Sequence, residues 1–174
     1  MKKYGFEKHI NGEEATGTRI LAFPKVGHYV LLFGVNEDES GKWQWKRDYY
    51  GERPTRRQMK ADIEALVNGL TDEKIMGGYE WHGIPVWLSG ENQFNFKAAY
   101  DLAFQTNGAS LPERYKLGED AEGKPVYHDF KDLAEFQDFY HGAIAYIQKC
   151  INEGWEMKDG VDYDELFGRE ADWE

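Results

Sequence analysis

The sequence predicts an α+β fold: a small N-terminal antiparallel β segment, then a helix–hairpin–helix–hairpin–helix order with three helices packed on short antiparallel strands. Three observations carry this. Lys42 to Tyr50 alternates with period two. From Thr55 to Trp155, three apolar stripes recur at helical spacing, each followed by a glycine. Between them lie two short β-rich pairs of runs, one turning at Gly83 and one at Gly118–Gly123.

Residues 1–18 are polar, with Asn11-Gly12 and Glu13-Glu14, and read as a weak strand and turn or a loose arm. Arg19 to Phe23 and His28 to Phe33 are apolar, β-rich runs split by Pro24 and Gly27. In the third run, Trp43 and Trp45 share one face and Gln44 and Lys46 the other. Residues 19–50 thus read as a small antiparallel meander, and Gly51-Glu-Arg-Pro54 marks its boundary.

Thr55 with Gln58 three residues later matches a capping box. Met59, Ile63, Leu66 and Val67 then lie on one helical face. Asn68-Gly69 reads as the end of this helix, because glycine takes a left-handed cap without a Cβ penalty, and Thr71 to Met76 can add one helical turn. Gly78 to His82 and Ile84 to Leu88 form the first hairpin, with Pro85 marking an edge strand. Ser89 begins the second helix, striped by Phe96, Ala99, Tyr100, Ala103 and Phe104 and closed by Asn107-Gly108.

Arg114 to Leu117 and Pro125 to His128 form the second hairpin. Asp129 is the expected cap of the last helix, whose apolar positions are Leu133, Phe136, Tyr140, Ala143, Ile147 and Cys150. Gly154 is its expected end, with Trp155 folding back onto the last turn. The organisation is therefore residues 1–54 as the β segment, 55–157 as the helix–hairpin domain, and 158–174 as a mobile acidic C-terminal tail that Tyr163, Leu166, Phe167 and Trp173 could anchor.

A chain of 174 residues supports a core without staples. The single cysteine, Cys150, excludes an internal disulfide framework and suits a reducing compartment. No apolar run approaches the roughly 20 residues of a spanning helix, so no membrane association is expected. The opening Met-Lys-Lys-Tyr-Gly-Phe-Glu has no apolar stretch behind it, so no signal peptide is expected. The net charge of −11 is uneven: about +1 over residues 1–55 and −12 over the remainder. An acidic body argues against binding nucleic acid through its phosphates, which needs clustered cations. Solubility accounts for the charge; the sharper alternative is a surface that imitates DNA.

No reaction centre is recognisable. His9, His28, His82, His128 and His141 form no close-spaced zinc signature, and His128 and Asp129 are strand neighbours on opposite faces. Cys150 sits on an apolar stripe and reads as a buried small hydrophobe. Ser89 lacks the nucleophile-elbow context, and Gly77-Gly78 lacks the Lys-Ser/Thr of a phosphate loop. Acidic residues are too abundant for any pair to be informative. No catalytic residue, cofactor-binding residue or metal ligand is assigned. Aromatics make up 16% of the chain. Most belong in the core, but Trp43, Trp45, Trp81 and Trp87 on short strands are a candidate interaction surface, since aromatics anchor protein interfaces and stack on sugars.

Four stretches carry a resemblance: Thr71-Asp-Glu-Lys-Ile-Met-Gly-Gly-Tyr-Glu-Trp81, Gly83-Ile-Pro-Val-Trp-Leu-Ser-Gly-Glu-Asn-Gln-Phe-Asn95, Leu111-Pro-Glu-Arg-Tyr-Lys-Leu-Gly118, and the helix from Asp132-Leu-Ala-Glu-Phe to Cys150-Ile-Asn-Glu-Gly-Trp155. They resemble a domain of unknown function found in phage and prophage proteins, often near tail or tail-fibre genes, including those of gut Bacteroides. The similarity spans roughly residues 55–160, and the order of helices and hairpins matches as a whole. It implies a phage-derived structural or accessory protein, in the bacterial host's cytoplasm or in the virion, with phage structural proteins as partners and a homo-oligomer allowed. It brings no catalytic residues. The expected function is a non-enzymatic, tail-associated structural or assembly module. The alternatives are a glycan- or ligand-binding module using the hairpin aromatics, or an acidic DNA-mimic inhibitor.

Overall fold

A computed structural model describes residues 9–10, 13–14, 17–23, 28–37 and 43–168, with side chains described at 29–33 and 50–166. It is an α+β fold in the expected order. The strands are β1 (His9–Ile10), β2 (Glu13–Glu14), β3 (Gly17–Phe23), β4 (His28–Glu37), β5 (Trp43–Tyr50), β6 (Tyr79–Trp81), β7 (Ile84–Val86), β8 (Glu113–Glu119) and β9 (Pro125–Phe130). Among the described residues the helices are α1 (Arg56–Gly77), α2 (Gly90–Gln105), α3 (Leu133–Asp159) and α4 (Tyr163–Gly168). The chain divides into two compact units, 1–67 with 157–174, and 68–156.

In the first unit, β3, β4 and β5 form an antiparallel sheet with β4 in the centre, and β1 pairs with β2. Val30, Leu31, Leu32 and Phe33 of β4 are all buried. A strand buried on both faces reads as a continuous apolar run rather than an alternating one. The Thr55 cap holds: its Oγ1 accepts from the Gln58 N–H at 3.2 Å. Met59, Ile63 and Val67 are fully buried. The Tyr50 hydroxyl donates to Asp62 Oδ2 at 2.7 Å, tying the end of β5 to α1. The acidic segment is folded as far as it is described: Asp162 Oδ1 accepts from the Asp164 and Glu165 N–H groups, α4 follows, Leu166 is buried, and Arg56 pairs with Asp164. Phe167 and Trp173 lie outside the described side chains.

In the second unit a single core gathers Ile75, Tyr79, Trp81, Val86, Leu88, Phe96, Ala99, Ala103, Leu117, Phe130, Phe136, Phe139, Ala143 and Cys150. The β6–β7 turn is His82-Gly83, with φ of +51° and +79°. Both central residues are left-handed, as a twisted two-residue hairpin requires. Asn107 and Gly108 close α2 as expected. The Gly108 N–H reaches the Ala103 carbonyl at 2.7 Å and the Asn107 N–H reaches Phe104 at 3.1 Å, the bond pair of a Schellman motif.

Four expectations are corrected. The first helix does not end at Asn68-Gly69; α1 runs on to Gly77. An interior glycine costs a helix only about 1 kcal/mol against alanine, and the apolar spacing continues to the buried Ile75. Gly154 does not end α3, which continues to Asp159 and leaves Trp155 half exposed. Gly154 is instead a contact: a Cβ there would lie 2.5 Å from Thr71 Oγ1, so the missing side chain lets α1 and α3 approach. Asp129 belongs to β9, and Asp132 caps α3, its Oδ1 accepting from the Glu135 N–H at 2.9 Å. Phe104 is 63% exposed rather than in the α2 stripe, which buries Phe96, Ala99 and Ala103.

Candidate functional site

The four tryptophans of the candidate surface part company. Trp43 and Trp45 lie on β5, but their side chains fall outside the described residues. Trp81 is corrected from surface to core. It is 7% exposed, its ring packs edge-on against Phe139 at 5.4 Å, and its Nε1–H donates to Asp138 Oδ2 at 2.9 Å. A buried indole whose N–H finds a partner is a structural anchor. Trp87 is 51% exposed and lines a groove of about 350 Å³ with Glu73, Met76, Gly77, Pro85, Val86, Gly118 and Glu119.

Backbone bonds fix this groove. The Trp87 N–H donates to the Leu117 carbonyl at 2.7 Å, and the Leu88 N–H donates to the Met76 carbonyl at 3.1 Å. Thus the two residues after β7 are tied to β8 and to the end of α1. From α2, Asn92 Nδ2 donates to the Trp87 carbonyl and Gln93 Nε2 to the Leu88 carbonyl, each at 2.8 Å. Ser89 caps α2 by accepting from the Asn92 N–H at 3.2 Å. The ladder between β8 and β9 shifts register between Lys116 and Gly118, and this irregularity aims the Leu117 carbonyl at Trp87. Gly118 lets the strands close: a Cβ there would sit 2.4 Å from the Pro85 oxygen.

The groove lining thus combines apolar Met76, Pro85 and Val86, one half-exposed indole, and two carboxylates, Glu73 and Glu119. Glu119 pairs with Lys116 at 2.8 Å along β8. Its lining contains no Lys, Arg or His.

Two histidine–carboxylate pairs sit beside Trp81. His82 Nε2 meets Asp138 Oδ2 at 2.9 Å, and His128 Nε2 meets Glu135 Oε1 at 2.9 Å. Both imidazoles pack edge-on to the Trp81 indole, at 4.8 and 5.0 Å. The hydrogen bond from His82, then that from Trp81, holds the Asp138 carboxyl below its ordinary range. Neither histidine hydrogen-bonds to a hydroxyl or thiol among the described residues, so neither pair extends into a nucleophilic triad. Farther along α3, Lys74 and Glu153 pair, which raises the Lys74 pKa and lowers that of Glu153. Burial, helped by Cys150, pushes the Tyr146 phenol up to about 12, and burial pushes Tyr115 to about 12 as well.

Among the described residues no three His, Cys, Asp or Glu side chains gather so as to hold a metal ion, and no helix is long and apolar enough to cross a membrane. No family model, no curated protein and no solved structure matches the chain.

The groove's parts come from three separated segments, residues 73–77, 85–87 and 118–119. One sequence signal did point to Trp87. The two-residue turn pairs Trp81 with Ile84 and Tyr79 with Val86. Since Tyr79, Trp81 and Val86 are on the inner face, Trp87, one residue beyond Val86, falls on the other.

Proposed function

We propose that this chain is a non-enzymatic module that acts through protein contacts, as a tail-associated virion component or assembly factor of a phage or prophage. One observation carries the contact reading: a half-exposed tryptophan in a small groove, its backbone hydrogen-bonded to β8 and α2 and that of the next residue to the end of α1. Tryptophan is over-represented among the residues that dominate interface energetics. A rigid frame presents it without the entropy cost of ordering a loop on binding. The phage setting rests on the resemblance over residues 55–160, and the place of work would be the bacterial host's cytoplasm or the particle.

The test is affinity capture of the tagged full chain from host cells during prophage induction, with mass spectrometry, run beside Trp87→Ala. Recovery of tail or baseplate proteins by the wild type, lost in Trp87→Ala, supports the reading. Recovery of a host nuclease or polymerase in a salt-sensitive manner would replace it with the acidic DNA-mimic reading.

One observation favours a second reading. An exposed indole beside carboxylates also suits a sugar, whose apolar face stacks on the ring while its hydroxyls donate to the acids. A glycan array at high ligand density without Trp87-dependent binding removes it.

A further inference from the structure

We propose that the Trp87 groove takes an arginine side chain from a partner protein's peptide segment. This deepens the contact reading above and rests on it. The volume, about 350 Å³, is at the small end of binding pockets and suits one or two side chains rather than a large cofactor. Met76, Pro85 and Val86 give the lining apolar surface, and both of its ionisable residues are acidic. A lining that joins apolar surface to carboxylates is complementary to a side chain with a hydrocarbon stem and a cationic head.

Arginine fits this better than lysine. Its guanidinium is planar, weakly hydrated and able to stack on an indole while offering several N–H donors to carboxylates. Half of the Trp87 surface is open to receive it. The lining already engages a cation: Lys116 Nζ donates to Glu119 Oε1 at 2.8 Å. An entering guanidinium therefore shares Glu119 with Lys116 or displaces it, and removing that lysine frees the carboxylate. Charge complementarity extends to the whole chain, whose net charge of −11 attracts a basic segment before contact.

The experiment titrates the full chain with a short peptide carrying two arginines, its lysine counterpart and its glutamate counterpart. The readout is the Trp87 indole N–H resonance, assigned with Trp87→Phe, together with the dissociation constant. The arginine peptide should shift that resonance and bind more tightly than the lysine peptide, and the glutamate peptide should not bind. Glu73→Gln with Glu119→Gln should weaken binding about two- to thirtyfold, the range for two exposed ion pairs. Glu122→Gln with Glu156→Gln removes the same charge from exposed positions outside the groove and should weaken it far less.

Lys116→Gln should tighten binding. Gly77→Leu should weaken it, since Gly77 lines the groove and a Cβ there meets nothing within 4 Å, so a side chain can be added at the lining without a clash. The inference is overturned if the two carboxylate pairs matter equally, if the glutamate peptide binds as well, or if the Trp87 resonance does not move. If capture of tail proteins stays Trp87-dependent while the arginine peptide fails, only the choice of occupant falls. If capture too is independent of Trp87, the contact reading falls with it.

Discussion

Gly118→Ala puts the frame of the groove under direct test. The added Cβ would stand 2.4 Å from the Pro85 carbonyl oxygen and 3.1 Å from its carbon. Both are backbone atoms and cannot rotate away. Ordinary non-bonded contact is about 3.5 Å, so β7 and β8 must part by about 1 Å. That stretches the 2.7 Å bond from the Trp87 N–H to the Leu117 carbonyl well past hydrogen-bonding range. Overpacking costs about 1–3 kcal/mol and the lost bond about 1 kcal/mol, offset by about 0.5–1 kcal/mol for removing glycine from a strand. The net expectation is a loss of about 2 kcal/mol. Urea unfolding followed by far-ultraviolet circular dichroism and tryptophan fluorescence measures it. Gly77→Ala, with open space at its Cβ, is the control and should be neutral or stabilising by up to about 1 kcal/mol. A Gly118→Ala protein within about 0.5 kcal/mol of wild type, the usual spread of surface substitutions, would refute the close approach.

Phe139→Ala should cost about 3–5 kcal/mol, because the ring is fully buried against Trp81, Phe96 and Phe130; a loss below about 1 kcal/mol in the same unfolding assay would argue against that core. Asp138 has a native pKa depressed by His82 and Trp81. Its stabilisation is therefore complete above the ordinary carboxylate value of about 4 and is lost as pH falls through the lower native value. Acid unfolding of Asp138→Asn should depend less steeply on pH below about 4, and an unchanged acid limb would count against the pairing. Tyr115 and Tyr146 are raised to about 12. Their contribution is present below the ordinary phenol value of about 10 and is lost as pH rises through 12. Base-induced unfolding should accordingly move to higher pH in Tyr115→Phe, and a shift to lower pH would reverse the argument.

The fold was legible where a local rule decides the outcome. The Thr55 hydroxyl, the Asn107-Gly108 pair and the His82-Gly83 turn each perform the bond or dihedral that their chemistry favours. It was illegible where the decision is made across space. Gly69, Gly108 and Gly154 look alike in sequence, yet one is a helix interior, one a left-handed cap and one a helix–helix contact. What separates them is the spacing of neighbouring apolar residues or a partner such as Thr71, distant along the chain. Trp81 and Trp87 show the same thing for the site. Both are strand-region indoles, and only the face inversion after Val86 and the waiting Asp138 carboxylate sort them into core and surface. The groove itself, assembled from three segments, has no signature in any one of them.

Gly78, Gly142 and Gly154 each meet a hydroxyl where a Cβ would stand, at 2.1 Å from Tyr146, 2.3 Å from Tyr79 and 2.5 Å from Thr71 respectively. Gly142 and Gly154 therefore each form one unit of inheritance with their hydroxyl rather than two. At Gly142 and Gly154 a methyl group arriving alone is penalised, whereas the same methyl arriving after the hydroxyl has gone finds room, so the order of events decides which histories are open; at Gly78 the Lys74 carbonyl oxygen, 2.8 Å from the same point, bars a methyl either way. Non-additive pairs of this kind constrain drift more tightly than burial alone. Two of the hydroxyls also donate to backbone carbonyls, Tyr146 to Lys74 at 2.9 Å and Tyr79 to Phe139 at 3.4 Å, so surrendering them first carries its own penalty. Divergent copies of this chain should keep or exchange the Gly142–Tyr79 and Gly154–Thr71 partners together and keep Gly78 outright, leaving two couplings and one fixed glycine that identify the lineage after its surface has changed.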